Sequence, residues 1–379
     1  MSGTSHDAVD AALVRIADAP RGPRVSLERF ESFPLPGPLR ERIRGAPGAR
    51  LAELARLHYD LGEAFANAAL RLIENDGRSP AEIDILGSHG QTVYHEPPGG
   101  GRTGATLQLG EGDVIARRTG ILTVSDFRAA DVAAGGSGAP LIPLVDWFLF
   151  RKPGHSRLML NLGGIANVTF LGDSLEEVIA FDTGPGNALL DEIMSRATDG
   201  AESFDRDGRL ALEGEAREDA VEEFLRHPYF AKRPPKSTGK ELFGNEAARR
   251  LARMVNRDTR LESLEGAPLR DLLATAALVT ARGVSDATRS FLPRVEEVVA
   301  SGGGTSNRAI MECLRRLFDP VPVVGLEALG MDPDAKEAVG FAVLARETLR
   351  GRPGNLPGAT GALARTVLGK ISPAPLMMR

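Results

Sequence analysis

The chain has 379 residues, 42% of them hydrophobic and 26% charged, with a net charge of −5, and so lies far from the composition of disordered chains. It lacks the basic footprint that a dedicated nucleic-acid binder needs. One cysteine, Cys313, rules out an internal disulfide framework or a multi-cysteine metal site and points to a reducing compartment. The start, MSGTSHDAVDAALVRI, has no basic and then apolar leader, and no run of 18 apolar residues occurs. The expectation is a cytoplasmic protein with no membrane partner.

In chain order, residues 3–16 read as a Gly/Thr/Ser turn running into an alternating strand. A helix over 50–75 follows, with Leu51, Leu54, Leu57, Leu61 and Phe65 at helical spacing. Short strands are predicted at 83–90, 121–126, 157–164, 177–184 and 295–304. Further helices are predicted at 187–197, 215–226, 267–290, 305–318 and 333–350. Gly- and Pro-rich clusters at 97–104, 133–140, 161–167, 182–187, 301–307 and 351–361 read as tight loops at strand ends. The alternation predicts an α/β protein of about two domains with largely parallel central sheets. Residues 3–16 and 158–171 also resemble one another, each a strand, a Gly-containing turn and a second strand. Two such hairpins suit a two-lobed ATPase gripping phosphates from both sides.

Several loops carry groups able to do chemistry. Gly3, Thr4 and Ser5 offer backbone N–H groups and hydroxyls beside Asp7 and Asp10, which fits phosphate and Mg²⁺ or an ordinary polar turn. Asn161–Asn167, with Gly163 and Gly164, allows close backbone approach to a ligand or forms a plain β-turn. Asp182 ends an apolar strand and is placed to act as a general base, or to cap the following helix, a role Asn187 fits better. Ser301–Asn307 leads from a strand into a helix, and its three glycines let an adenine or ribose pack on backbone. His89 and Gln91 end another strand as substrate-hydroxyl ligands or as structural hydrogen-bonders. His6, His58, His95, His155 and His227 form no pair at metal-ligand spacing, so no zinc site is expected.

Taken together, MSGTS (1–5), GSHGQTVYHEP (87–97), LQLGEGDVIARRTG (107–120), SDFRAADVAAGGSGAPLIP (125–143), LNLGGIANVTFL (160–171), FDTGPGNALLD (181–191), RPPKSTGKELF (233–243), ASGGGTSN (300–307), DAKEAVGFAVLA (334–345) and PGNLPGATGA (353–362) resemble the anhydro-N-acetylmuramic acid kinases of bacterial cell-wall recycling. The resemblance implies the two-lobed fold of actin, sugar kinases and heat-shock chaperone ATPases, with ATP and Mg²⁺ in the interlobe cleft. It implies lobe I over 1–135, completed by about 346–379, lobe II over 136–345, and a hinge near Gly135, Gly136 and Gly138.

The resemblance implies that Gly3, Thr4, Ser5, His6, Asp7, Ala8, Val9 and Asp10 form the first phosphate hairpin, with Asp7 toward the metal. Gly163, Gly164 and Asn167 form the second, and Gly302, Gly303 and Asn307 the adenosine segment. Asp182 is implied as the base, and His89, Gln91, Arg128, Asp131 and Glu337 as substrate-side residues. The implied reaction opens 1,6-anhydro-N-acetylmuramic acid with water and phosphorylates O6. The alternatives are a kinase of another free sugar and a nucleotide-binding regulatory protein with little turnover; a homodimer is also left open. The chain departs from the family pattern where MSGTSHDA replaces MSGTSLDG and where Ser137 replaces Gln in GGQGAP. The family also has a strand before MSGTS, so the expectation is that the native protein starts upstream of Met1.

Overall fold

The computed structural model describes residues 1–3, 7–19, 22–257 and 260–375. It divides into two compact units, Met1–Leu149 with Asp334 onward, and Phe150–Pro333. Among the described residues twelve strands are defined: β1 Ala8–Ala17, β2 Arg24–Pro34, β3 Leu86–Ser88, β4 Gln91–Glu96, β5 Ala105–Leu109, β6 Thr123–Ser125, β7 Arg157–Leu162, β8 Ile165–Leu171, β9 Ile179–Pro185, β10 Glu297–Ser301, β11 Val323–Gly325 and β12 Lys370–Ser372. No helix among the described residues is long and apolar enough to cross a membrane.

In the first unit, β1 and β2 form an antiparallel hairpin whose register shifts between Leu13 and Val14. β3 runs parallel to β6, β12 runs antiparallel to it, and β4 pairs antiparallel with β5. Helix Leu51–Asn75 buries Leu57, Leu61, Phe65, Ala66, Ala68, Leu72 and Ile73, so its 3.6-residue period becomes one apolar face. That face joins Val9, Leu13, Phe33 and Ile115 in a core, each large side chain contributing about 1.5–3 kcal/mol on burial. Helix Lys336–Leu349 packs against β1 and β3. Gly87 allows this approach, because a Cβ there would lie 2.4 Å from the Phe341 carbonyl oxygen.

The second unit carries one five-stranded sheet in the order β11-β10-β7-β8-β9. Within this sheet the expectation of largely parallel pairing holds for the β11-β10-β7 half, as it does for β3 and β6 in the first unit. β7, β8 and β9 are antiparallel, because Gly163–Gly164 joins β7 to β8 in two residues, too few for a crossover. Helix Gly266–Phe291 is buried on almost every side, with Leu272, Leu273, Ala276, Ala277, Thr280, Ala281 and Val284 among its covered residues. Small residues dominate that list, which lets neighbouring elements approach closely.

The unit boundaries differ from the expected lobes. Residues 136–149 and 334–345 pack with the first unit, where the sequence placed them in lobe II. The buried Lys336 ammonium meets the Asp146 carboxylate at 2.9 Å and ties helix Pro143–Phe150 to helix Lys336–Leu349 within that unit. Gly135, Gly136 and Gly138 likewise lie inside the first unit, not at a crossing point.

Candidate active site

Two polar clusters stand out, one in each unit. In the second unit, Asp182 lies within β9, opposite Asn167 of β8 and beside the register shift at Ala166/Asn167. The strand continues three residues beyond it before helix Ala188–Ala197 begins. The Asp182 carboxylate makes no helix cap; Oδ2 accepts hydrogen bonds from the Ser237 hydroxyl at 3.0 Å and the Thr238 N–H at 2.9 Å. Its main chain is held too: the Asp182 N–H donates to the Lys236 carbonyl at 3.1 Å, and the Tyr229 hydroxyl donates to the Asp182 carbonyl at 2.8 Å. Burial pushes the carboxyl above the ordinary carboxylate range, and the bonds from Thr238 and Ser237 pull it partly back. A half-buried carboxylate tuned in this way has the character of a general base.

Two glycine segments lie near this strand end. The Gly163 and Gly164 carbonyls accept from the N–H groups of Gly186, Asn187 and Ala188 at 2.8–3.0 Å, locking the β7–β8 turn to the start of the next helix. Gly186 permits this, since a Cβ there would lie 2.3 Å from the Gly163 carbonyl oxygen. A Cβ on Gly163 would meet nothing closer than 3.4 Å, and one on Gly303 nothing within 4 Å, so backbone lies open at both. Gly302 packs tightly on the end of β7, where a Cβ would fall 2.5 Å from Asn161 Oδ1. Asn307, expected at adenosine, is buried and caps helix Arg308–Phe318, its Oδ1 accepting from the Ile310 N–H at 3.2 Å. The side chain therefore serves the helix, and only the preceding glycines present backbone.

In the first unit, His89 is 4% exposed. Its Nδ1–H donates to the Gly90 carbonyl at 2.9 Å and its Nε2 accepts from the Arg128 Nε–H at 3.0 Å. Both ring nitrogens are thus engaged, and His89 positions Arg128 without needing to touch a substrate. Burial, with the neighbouring Arg128 cation, holds the imidazole at about 3. Glu337, in the first turn of helix Lys336–Leu349, stays open to solvent. Surrounding atoms nonetheless push its carboxyl above the ordinary range, against the pull of Lys336 and Arg128. Of this cluster, Arg128 is half-buried and Glu337 exposed, while His89 is covered.

The remaining expected residues divide differently. Gln91 is fully buried; its Oε1 accepts from the Ser2 hydroxyl at 2.7 Å and its Nε2 donates to the Thr92 carbonyl at 3.2 Å, so it anchors the N-terminal segment. Asp131 is also fully buried. Its carboxylate accepts from the Asn355 amide, the Thr360 hydroxyl and the Gly138 N–H, each at 2.7 Å, stapling the C-terminal loop to residues 131–138. That accounts for Asp131 without a sugar contact. The substituted Ser137 joins the same staple through the Thr360 carbonyl at 3.0 Å. Val9 belongs to the core, Ala8 pairs with Pro34, and the Asp10 carboxylate accepts from the Ser32 hydroxyl at 2.7 Å. Gly3 has open space where a Cβ would stand, and Asp7 is exposed just before β1. Thr4, Ser5 and His6 fall outside the described residues.

Sequence reasoning missed Tyr229, Lys236, Ser237 and Thr238, the groups that hold Asp182. Their signal was present in the polar run KSTG inside RPPKSTGKELF, but nothing in the spacing pointed to a carboxylate 55 residues away. Among the described residues, no group of three or more His, Cys, Asp or Glu is placed to hold a metal ion.

The sequence pattern of the anhydro-N-acetylmuramic acid kinases matches residues 1–374. The chain belongs to that family. It is 47% identical over 381 residues to the anhydro-N-acetylmuramic acid kinase of Gloeobacter violaceus, covering 99% of this chain and 97% of that one. It is 42% identical to the enzyme of the same name from Caldanaerobacter subterraneus, covering 98% and 95%. Among solved structures, a ROK family glucokinase from Streptomyces griseus in complex with glucose and AMPPNP shows 13% identity and a TM-score of 0.36 over 89% of this chain and all of that one. As an anhydro-N-acetylmuramic acid kinase family member of mixed α/β architecture, the chain carries Asp182, Arg128 and Glu337 within the stretches that marked the resemblance.

Proposed function

We propose that this protein is an ATP-dependent kinase that opens 1,6-anhydro-N-acetylmuramic acid hydrolytically and phosphorylates it at O6, serving peptidoglycan recycling in the cytoplasm. The observation that carries the reading is Asp182: a half-buried carboxylate, raised by burial, with both of its side-chain hydrogen bonds on one oxygen. Oδ1 takes a proton from water as the water oxygen bonds to the anomeric carbon. The C1–O6 bond breaks, and O6 displaces ADP from the γ-phosphorus, giving N-acetylmuramic acid 6-phosphate. In the first unit, Arg128, aimed by His89, and Glu337 are the groups for sugar hydroxyls, and Gly3 offers open backbone. In the second unit, the open backbone at Gly163 and Gly303 is the part suited to a nucleotide. Mg²⁺, with Asp7 as its protein carboxylate, would neutralise phosphate charge.

The test is turnover with the anhydro sugar in ¹⁸O-water. The expected result is one ADP per sugar and label on the anomeric hydroxyl. A phosphorylated product that retains its anhydro ring, label in phosphate, or equal turnover with free N-acetylmuramic acid would overturn the reading.

A further inference from the structure

Lys236 is 5% exposed, an unusual setting for an ammonium group. Its Nζ lies 4.8 Å from the ring centre of Tyr229, 4.9 Å from that of Phe291 and 5.7 Å from that of Phe181. It also donates to the Phe230 carbonyl at 3.2 Å and the Tyr229 carbonyl at 3.3 Å. The rings come from β9, from helix Pro228–Ala231 and from the last residue of helix Gly266–Phe291, so the cage gathers three separate elements. Aromatic faces and carbonyls together offset the desolvation of a cation that an apolar side chain would have avoided altogether.

The two residues after Lys236 deliver the hydroxyl and the N–H to Asp182 Oδ2, and the Lys236 carbonyl receives the Asp182 N–H. Tyr229 is at once a wall of the cage and the donor to the Asp182 carbonyl. Cage and Asp182 are therefore joined by four hydrogen bonds, two to the carboxylate and two to its main chain, through Lys236 and residues that follow it or line its cage. Ser237 itself is exposed, so the strap has little packing of its own to fix it. We infer that Lys236 is a positioning residue: its caged ammonium pins the 236–238 strap so that both donors fall on Oδ2 of Asp182 and Oδ1 is left to take the proton from water.

This inference rests on Asp182 being the base. The charged groups around the pair are Lys232, which acts on Lys236, and Glu241, which acts on Asp182. Burial brings the Lys236 ammonium down to about 8, with Lys232 adding to that effect and Asp182 opposing it.

The test compares Lys236→Met, which keeps the apolar stem but not the charge, with Ser237→Ala, which leaves the cage intact, and with Asp182→Asn. Single-turnover rates and their pH profiles are measured, with melting temperature and KM for ATP alongside. Lys236→Met is expected to lower the rate about 10- to 100-fold by misplacing the base, with KM for ATP nearly unchanged. Its acid limb should move upward by about one pH unit as Oδ2 loses donors, and Ser237→Ala should show a smaller shift of the same sign. A folded Lys236→Met with the wild-type rate and acid limb overturns the inference. If that variant does not fold, an unmoved acid limb in Ser237→Ala overturns it instead. Full activity in Asp182→Asn removes the base assignment itself, whereas an inactive Asp182→Asn beside unmoved acid limbs removes only the role given to Lys236.

Discussion

Replacing His89 by Gln removes an imidazole that the fold holds neutral against Arg128 while keeping an oxygen acceptor for its Nε–H. In the native chain a second ring proton has no place to go: Nδ1–H already donates to the Gly90 carbonyl, and Nε2 faces the Arg128 donor at 3.0 Å. The native imidazole therefore stays neutral until about pH 3, against an ordinary value of 6.5. Between those two values the unfolded chain binds a proton that the native chain does not, so stability falls as pH falls. The slope approaches about 1.4 kcal/mol per pH unit, and the full span corresponds to about 5 kcal/mol. At 4% exposure, solvent screening takes little from that figure.

Trp147 is the single tryptophan and lies in the first unit, so its fluorescence in urea reports the unit that contains His89. Other groups also titrate on the acid side, Glu28 for instance being held at about 2 by Arg15 and Arg78, but they cancel between wild type and variant. The stability lost between pH 7.5 and pH 4.5 should be about 3 kcal/mol smaller in His89→Gln than in wild type. Parallel stability curves for the two proteins, or a His89 ring that titrates near 6.5 by NMR, would refute the reasoning.

Asp182→Asn keeps the shape of the base but cannot accept water's proton, so sugar-dependent ADP release should fall about 10²- to 10⁴-fold while nucleotide binding, measured by calorimetry, stays nearly unchanged. Gly87→Ala drives a Cβ to 2.4 Å from the Phe341 carbonyl oxygen and should cost about 1–3 kcal/mol, read from Trp147 fluorescence in urea. Because the displaced helix carries Glu337, KM for the sugar should rise as well. Asp131→Ala strands the Gly138 N–H, the Asn355 amide and the Thr360 hydroxyl, which should cost about 3–5 kcal/mol by the same assay. A variant that keeps its stability but binds sugar poorly would return Asp131 to the substrate.

What the amino-acid sequence determined by itself is local. The Leu57–Phe65 spacing specified a helix face, the glycine clusters at 97–104, 161–167, 182–187 and 301–307 marked strand ends while those at 133–140 and 351–361 follow helices, and an apolar run specified the strand that carries Asp182, because periodicity and turn chemistry act over a few residues. The ordered motifs over nearly the whole length carried the family as well. Which polar groups meet was decided by tertiary structure. Ser237 and Thr238 reach Asp182 across 55 and 56 residues, Ser2 reaches Gln91 across 89, and Asn355 reaches Asp131 across 224. No local pattern encodes such a pairing, since a buried donor takes whichever acceptor the packing of distant elements brings within 3 Å. For that reason the buried hydrogen bonds by which Gln91, Asp131 and Asn307 hold the fold were not legible in the chain, and neither was the cage around Lys236 beside Asp182.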